Sequence, residues 1–325
     1  MKKILVSGAS GIVGYGILRS LRKADPSLLL VGSSMYNDSV APGFCDVFEL
    51  APATSAANYL DWLCATISRH QIDLIIPGIE IDLHTWSGHL AQIERHGART
   101  VMNRLDLVTL CQDKWLFYES LVAAGMPWAI ESSLDNSYAA LAAAYGVPFL
   151  LKPRRGFGSK GIVRVDSAAT FERYRHEVGP RLMAQPIVGD DDNEFTTSAF
   201  CDGNGGYHAS MTLRRKLSKD GFTDKAEVVL GEQFSAALAG LCQRYLPVGP
   251  TNFQFRTCAD GVKLLEINPR ISSSTSIRTA FGYNESAMAV DFFLSGKLPT
   301  PPVIRHGHAV RYVAEHIFYD DRLHF

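Results

Sequence analysis

The sequence predicts an α/β fold followed by α+β structure: a doubly wound parallel sheet at the N-terminus, then a two-lobed part with antiparallel sheets. Two observations carry this expectation. Across residues 1–105 short apolar runs alternate with amphipathic stretches, which is the pattern of parallel strands joined by crossover helices. Further on, residues 252–256 and 264–270 place a polar side chain at every second position on either side of Ala259-Asp260-Gly261, which is the pattern of an antiparallel hairpin.

The 325 residues are enough for about two domains with a sizeable buried core. With 32 Lys and Arg against 33 Asp and Glu, the net charge is −1. No global field therefore draws the chain to nucleic acid or to an acidic membrane, and small molecules are the expected partners. Cys45, Cys64, Cys111, Cys201, Cys242 and Cys258 are scattered with no CxxC pair, and read as free thiols. The apolar run after Lys2-Lys3 is too short for a signal peptide, and no stretch approaches a membrane span, so the expected location is cytoplasmic.

In chain order, residues 4–6 read as a strand, 8–16 as a glycine-rich turn, 17–22 as a helix and 28–31 as the next strand, completing a βαβ unit. The glycines let backbone N–H groups approach an anion at the helix N-terminus, and they equally suit a tight turn kept for packing. No acidic residue closes the second strand, where a dinucleotide-binding unit would carry one for the ribose. Strands follow at 47–50, 72–77 and 100–102, with helices at 59–70 and 83–96, and the first domain is expected to end near residue 105. Residues 106–125 read as helical with a break at Asp113, which can cap a second helix starting at Lys114. A lysine at a helix N-terminus opposes the helix dipole, which a phosphate nearby would explain.

Residues 147–153 read as a strand ending on Lys152, and 162–165 as its neighbour. Between them lies Arg154-Arg155-Gly156-Phe157-Gly158-Ser159-Lys160-Gly161, a glycine-rich loop with cations and a serine that suits closure over phosphates. It is not a Walker loop, because the order of residues differs and a strand follows. Ser167 caps a helix to about 178, and 181–188 runs extended through Gln185, Pro186 and Ile187, with backbone groups free to meet an adenine ring. Glu194 opens a strand to 201, and 207–213 returns to Arg214-Arg215-Lys216. An amphipathic helix at 232–245 underlies the hairpin, Ser272 to Ser276 lead toward a helix at 287–294, and 308–316 reads as a last strand.

The hairpin concentrates the chemistry. A strand sends alternate side chains to one face, so Glu266, Asn268 and Arg270 share a face while Leu265 and Ile267 turn to apolar packing. A three-residue turn with Gly261 at positive φ would set Gln254 opposite Glu266 and Asn252 opposite Asn268. The result is an oxygen-rich surface with a cation at its rim, suited to Mg²⁺ shared with substrate phosphates.

Taken together, these motifs resemble the ATP-grasp superfamily, most closely the branch of the carbamoyl-phosphate synthetase large subunit. The resemblance rests on Asn252-Phe253-Gln254-Phe255 with Leu265-Glu266-Ile267-Asn268-Pro269-Arg270-Ile271-Ser272-Ser273-Ser274, on Asp113-Lys114, on Lys152-Pro153 with its glycine loop, and on Gln185 to Gly189 followed by Glu194. It implies a pre-ATP-grasp Rossmann-like domain over 1–105, a small ATP-grasp lobe over 106–184 and a large lobe over 185–325. By the same resemblance, Lys114 and Lys152 would bind the α- and β-phosphates of ATP, and the loop with Gly156, Gly158 and Ser159 would cover the β- and γ-phosphates. Gln185, Pro186 and Ile187 would hold adenine, and Glu194 the ribose. Gln254, Glu266 and Asn268 match ligands of Mg²⁺, with Mn²⁺ as an alternative, and Arg270 matches the cation on the transferring phosphoryl group.

The acceptor pocket is expected between Gly11 of the first turn and Ser272, Ser273 and Ser274, with Arg214, Arg215 and Arg278 as candidates for holding carboxylates. Catalytic candidates are Arg270, Lys152 and Arg215. The chain carries one ATP-grasp unit where carbamoyl-phosphate synthetase has two, so that activity is not expected. The resemblance implies instead the superfamily's shared chemistry: a carboxylate activated as an acyl phosphate and joined to an amine, or more rarely to a thiol, the substrates being small molecules and a homodimer being common in such folds. Two rivals stand beside it. One is an NAD(P)-dependent oxidoreductase using the first glycine turn, which the absence of Tyr-x-x-x-Lys opposes; the other is a non-catalytic nucleotide-binding module, which has no need of Glu266, Asn268 and Arg270.

Overall fold

The computed structural model describes residues 1–156, 158 and 160–319. Its first part comprises β1 (Lys3–Val6), α1 (Ile12–Ala24), β2 (Leu29–Ser34), β3 (Val47–Leu50), α2 (Tyr59–His70), β4 (Leu74–Ile76), α3 (Glu80–Gly88), α4 (Leu90–Glu94) and β5 (Arg99–Thr100). The strands form a parallel sheet in the order β3-β2-β1-β4-β5, the doubly wound arrangement expected. Its strands are apolar on both faces because helices cover both: Leu5, Val31 and Ile75 pack under α2 and α3, while Ile4, Val6 and Leu30 pack under α1. The helix expected over 83–96 is two helices, broken at His89, whose backbone leaves the helical region.

The glycine-rich turn is tighter than a helix starting at residue 17 would need. The helix begins at Ile12, so Gly14 and Gly16 lie inside it. Gly8 has a φ of 59°, and a Cβ on Gly14 would stand 2.2 Å from the Gly8 carbonyl oxygen. These two glycines are thus required by the close approach of α1 to the end of β1.

The chain continues through α5 (Leu105–Cys111), α6 (Lys114–Ala123), α7 (Tyr138–Tyr145), β6 (Phe149–Pro153), β7 (Val163–Val165), α8 (Ala168–Tyr174) and β8 (Leu182–Pro186). Here β7-β6-β8 make an antiparallel sheet backed by α7 and α8 through Leu141, Phe149 and Phe171. Helix α7 went unforeseen, although Ser137 caps it through the Ala140 amide and its interior is rich in alanine. The segment through Gln185 is not unpaired: β8 bonds to β6 as far as Pro186, so backbone groups are free of that ladder only beyond it. The boundary expected between 184 and 185 falls inside this strand.

The last part holds β9 (Glu194–Asp202), β10 (Tyr207–Leu217), β11 (Thr223–Val229), α9 (Ser235–Tyr245), β12 (Val248–Cys258), β13 (Gly261–Asn268), α10 (Thr275–Ala280), α11 (Glu285–Ser295) and β14 (His308–Val310). Its sheet runs β13-β12-β9-β10-β11-β14, each pair antiparallel. Strand β10 extends through the three cations to Leu217, β11 and α10 are additional to the expected elements, and the final strand is confined to His308–Val310. Helix α9 packs Leu238 and Leu241 against Phe253, Phe255 and Leu264 beneath the hairpin. Helix α11 joins the two large sheets, since Ala289 and Val290 share one core with Ile4, Leu74 and Phe200.

One buried polar group marks the first part. Asp82, 2% exposed, accepts hydrogen bonds from Thr54 and Tyr59, and Trp86 donates to the same tyrosine. Burial outweighs the bonds from Thr54, Ser7 and Tyr59 and holds the carboxyl above its ordinary value of 3.8. A raised native value means that stability is greatest below the unfolded pKa and declines as pH rises through the native one. Asp82→Asn keeps an acceptor and removes the charge, so its urea midpoint should exceed wild type at pH 7 and lose the decline above about pH 4. Urea titrations at several pH values test this, and equal pH profiles for both proteins would refute it.

Candidate functional site

The hairpin pairs Gln254 with Glu266 and Asn252 with Asn268, the register expected. The route to it differs from expectation. Cys258 pairs with Gly261, so the turn has two residues, Ala259 and Asp260, with Gly261 at φ 93°. The offset is made up by a bulge between Phe255 and Gln254, which face Leu264 and Glu266 and leave Leu265 as the extra residue. Leu264 and Ile267 therefore enter the core, each 3% exposed, while Leu265 turns out beside Glu266.

That face forms one wall of a cleft of about 340 Å³. Lining it are Lys114, Lys152, Gly156, Gly158, Gln185, Pro186, Glu194, Arg215, Gln254, Glu266, Asn268, Arg270, Ser272 and Ser273, drawn from all three sheets' surroundings. Three expected site residues are not among them. Ile187 gives way to Val188, and Gly11 to Ile12 and Val13 of α1's first turn. Ser274 is buried and bonded to Thr223. Ser159 lies outside the described residues. A larger hollow of about 650 Å³ sits beside Arg154 and Arg181, but it holds none of the hairpin's polar groups.

Asp113 builds one side. Its Oδ1 accepts from the amides of Trp115 and Leu116, capping α6 as expected, and its two oxygens also receive Arg154 Nε at 3.1 Å and Nη2 at 2.8 Å. Burial works against the charge, but Arg154 and the capping amides hold the carboxyl below its ordinary value. The Lys114 amide donates to the Arg154 carbonyl, so the base of the glycine-rich loop is bonded to the start of α6. Lys114 Nζ then donates to the Gly156 carbonyl at 2.8 Å and stands 4.0 Å from Glu266 Oε2. Lys152, at the end of β6, is different: burial, with Lys114 and Arg256 nearby, outweighs the attraction of Glu266 and Glu194 and pulls its pKa down to about 8.

On the floor, Glu194 is 5% exposed. Its Oε1 takes Arg215 Nε and Nη2 at 3.1 and 2.9 Å, and its Oε2 takes Arg256 Nε and Nη2 at the same distances. All four acceptor positions of the carboxylate are thereby occupied. Arg215 Nη2 also donates to Gln254 Oε1 at 2.7 Å. Arg256 was missed by sequence reading, although its i+2 spacing from Gln254 places it on the same face. Of the arginines expected to hold carboxylates, only Arg215 reaches the cleft. Arg214 pairs with Glu227 at the surface, and Arg278 is wholly buried against Glu285, Thr196 and Asn252 while donating to Ser272 Oγ at 2.7 Å.

At the hairpin's end, Asn268 Nδ2 donates to Glu266 Oε1 at 3.0 Å, and Arg270 Nη2 donates to Glu80 Oε2 at 3.0 Å. Burial opposes ionisation of Glu80, but His84 and Arg270 overcome it and bring its pKa down to about 2. The remaining wall is apolar: Ile130, Leu150, Ile162, Pro186, Val188 and Leu265. The cleft thus joins a greasy slot to a cluster of cations and amide and carboxylate oxygens.

Residues 182–316 match the family model described as ATP-grasp in the biosynthetic pathway with Ter operon. The chain is 24% identical over 327 residues to the carbamoyl phosphate synthase large chain of Thermotoga sp. (strain RQ2), covering 87% of this chain and 28% of that protein. Among solved structures, N5-carboxyaminoimidazole synthetase from Staphylococcus aureus complexed with ADP superposes with a TM-score of 0.72 at 16% identity, covering 93% of this chain and 80% of that one. Biotin carboxylase from Campylobacter jejuni, complexed with β,γ-ATP, superposes with a TM-score of 0.73 at 16% identity, covering 94% and 74%. An ATP-grasp family model thus matches the C-terminal part of the chain, and the solved structures share its fold. The chain spans little more than a quarter of the Thermotoga protein's length. Among the described residues no helix is long and apolar enough to cross a membrane.

In this cleft the protonated Lys152 is costly in the free protein. Displacement from 10.5 to about 8 corresponds to roughly 3 kcal/mol, present below about pH 8 and relieved between there and 10.5. Lys152→Met should raise the thermal midpoint of the free protein by roughly 2–6 °C at pH 7. In the same thermal-shift assay it should remove stabilisation by Mg-ATP. A variant less stable than wild type, or one still stabilised by Mg-ATP, would contradict the assignment.

Proposed function

We propose that this protein is an ATP-grasp, Mg-ATP-dependent ligase that activates a small carboxylate as an acyl phosphate and joins it to an amine. The observation that carries the reading is the meeting, in one cleft, of the Gln254, Glu266, Asn268 and Arg270 face with Lys114 and Lys152. The apolar slot by Gln185 and Pro186 suits an adenine ring, and Lys114 and Lys152 suit the α- and β-phosphates. Gly156 and Gly158 line the same cleft, and their backbone amides suit the β- and γ-phosphates. Glu194 acts in this scheme by holding Arg215 and Arg256, because contact with a ribose hydroxyl requires one of its guanidinium bonds to open.

Glu266 supplies a carboxylate oxygen, and the amide oxygens of Gln254 and Asn268 each retain a lone pair beside their present hydrogen bonds. Among the described residues no cluster of three or more His, Cys, Asp or Glu could hold a metal unaided. This donor set fits Mg²⁺ that takes its other ligands from substrate phosphates, as hard cations with few protein carboxylates do, and Mn²⁺ fits the same donors. Such an ion neutralises phosphate charge during transfer.

The chain's own residues do the rest. A substrate carboxylate oxygen, placed near Ser272 and Ser273, attacks the γ-phosphorus; that bond forms as the bond to the β,γ-bridging oxygen breaks, leaving ADP. Arg270, Lys152 and Arg215 stand ready for charge on the transferring group. An amine nitrogen then attacks the acyl carbon, inorganic phosphate departs, and the nitrogen loses a proton. Coupling phosphate release to product mass across a panel of carboxylic acids and amines tests the proposal, and turnover of no acid with any amine would count against it. Glu266→Gln should lower Mg²⁺-dependent ATP turnover at least about 100-fold with an unchanged circular dichroism spectrum. Wild-type turnover in that variant would remove Glu266 from the metal site.

A further inference from the structure

Glu80 lies outside the lining of the cleft. It belongs to the first turn of α3, in the parallel-sheet part, and lies 190 residues before the arginine that it holds. Arg270 has three ties among the described residues: Nη1 to the Ile271 carbonyl at 3.1 Å, Nη2 to Asn268 Oδ1 at 3.4 Å, and Nη2 to Glu80 Oε2 at 3.0 Å. Glu80 is the charged one, and the other two belong to Arg270's own strand end. These bonds use three of the five guanidinium N–H groups, so two remain for the cleft that Arg270 lines.

Glu80 is itself held. Its Oε1 stands 3.6 Å from His84 Nε2, one helical turn on, and His84 Nδ1 is 2.8 Å from Gln112 Nε2. That bond pairs the Gln112 amide with Nδ1 and leaves Nε2 facing Glu80. Gln112 stands two residues before Lys114. A chain of contacts thus runs from the start of α6, which carries one phosphate-facing cation, through His84 and Glu80 to the other.

We propose that Glu80 is a positioning residue that holds Arg270 in the orientation needed by the transferring phosphoryl group, with His84 and Gln112 supporting it. The proposal rests on the ligase reading above. A free arginine side chain samples many rotamers, and a carboxylate on one edge of the guanidinium restricts it while leaving donors on the other edge. The contact acts on the transition state rather than on nucleotide affinity, since Glu80 does not line the cleft.

The test needs no knowledge of the acid. Calorimetry of the full chain with MgADP, and with MgADP plus aluminium fluoride as a mimic of the phosphoryl group in flight, separates ground-state from transition-state binding. Wild type should bind MgADP and tighten at least tenfold with aluminium fluoride. Glu80→Ala should keep MgADP affinity within twofold and lose most of that tightening, and Glu80→Gln, which retains an acceptor, should recover most of it. Gln112→Ala reads the chain from its far end and should lose part of the tightening, which keeps the idea testable should Glu80→Ala not fold. Undiminished tightening in Glu80→Ala, an equal loss of MgADP affinity, or a Gln variant no better than Ala would overturn the positioning role alone. A wild type that does not bind MgADP, or shows no tightening, would overturn the ligase reading, and the proposal with it.

Discussion

The bulge at Leu265 decides what the hairpin can do. A two-residue turn run without a bulge would set Gln254 across from Leu265 and move Glu266 out of line with it. Inserting one residue between Leu264 and Glu266 restores the pairing of Gln254 with Glu266 and of Asn252 with Asn268, while the near half of the hairpin keeps its tight turn. It also supplies an apolar side chain at the cleft directly beside the polar face. One irregularity in the ladder therefore both assembles the oxygen cluster and contributes to the slot next to it.

The charges around that cluster follow a rule set by burial. A guanidinium taken out of water needs a partner, and five such arginines have a carboxylate: Arg215 and Arg256 share Glu194, Arg154 has Asp113, Arg270 has Glu80 and Arg278 has Glu285, while half-buried Arg311 is held by the Thr223 and Ser273 carbonyls. These pairs leave part of each cation for other bonds, because a guanidinium offers five donors and a carboxylate commonly uses two. Lys152 departs from the rule. Its ammonium has no ion pair within 4.0 Å among the described residues, and its pKa falls accordingly. An anion entering the cleft would relieve that cost, so stability given up by the free protein becomes available for binding. A half-buried lysine without an ion pair beside paired arginines favours a negative ligand.

Much of this was legible in the sequence because short-range rules apply to it. Alternation at 252–256 and 264–270 announced a shared face, Asp113 announced its cap, and Lys152 at the end of an apolar strand announced a half-buried cation. The register was read correctly for the wrong local reason, since nothing in Lys263-Leu264-Leu265 tells which leucine will be squeezed out; core packing under α9 selects Leu264. Glu80 and Arg256 were passed over for a related cause. Their roles depend on partners 190 and 62 residues away, and a lone acid after Pro77-Gly78-Ile79 has no local signature. Arg278 shows the opposite failure. Its position after the serine run suggested a substrate contact, yet its guanidinium is consumed by Glu285, Asn252 and Thr196.

The first glycine turn ties these threads together. Its glycines admit α1 against β1, which is a packing need, and the same close approach brings Ile12 and Val13 to the cleft's rim. Helix α1 packs in turn against α10 and α11, with Thr279 bonded to Ser20 at 2.9 Å and Asn284 bonded to the Ser20 carbonyl at 2.8 Å. The segment holding Ser272 and Ser273 is thus fastened to the parallel sheet from one side, and Arg270 is fastened to it from the other through Glu80. Removing either attachment would leave the hairpin's polar face in place while freeing the end of the strand. The parallel sheet therefore bears on the end of the cleft where an acceptor would lie, and the hairpin on the end where phosphates would lie, with Arg270 at the junction of the two.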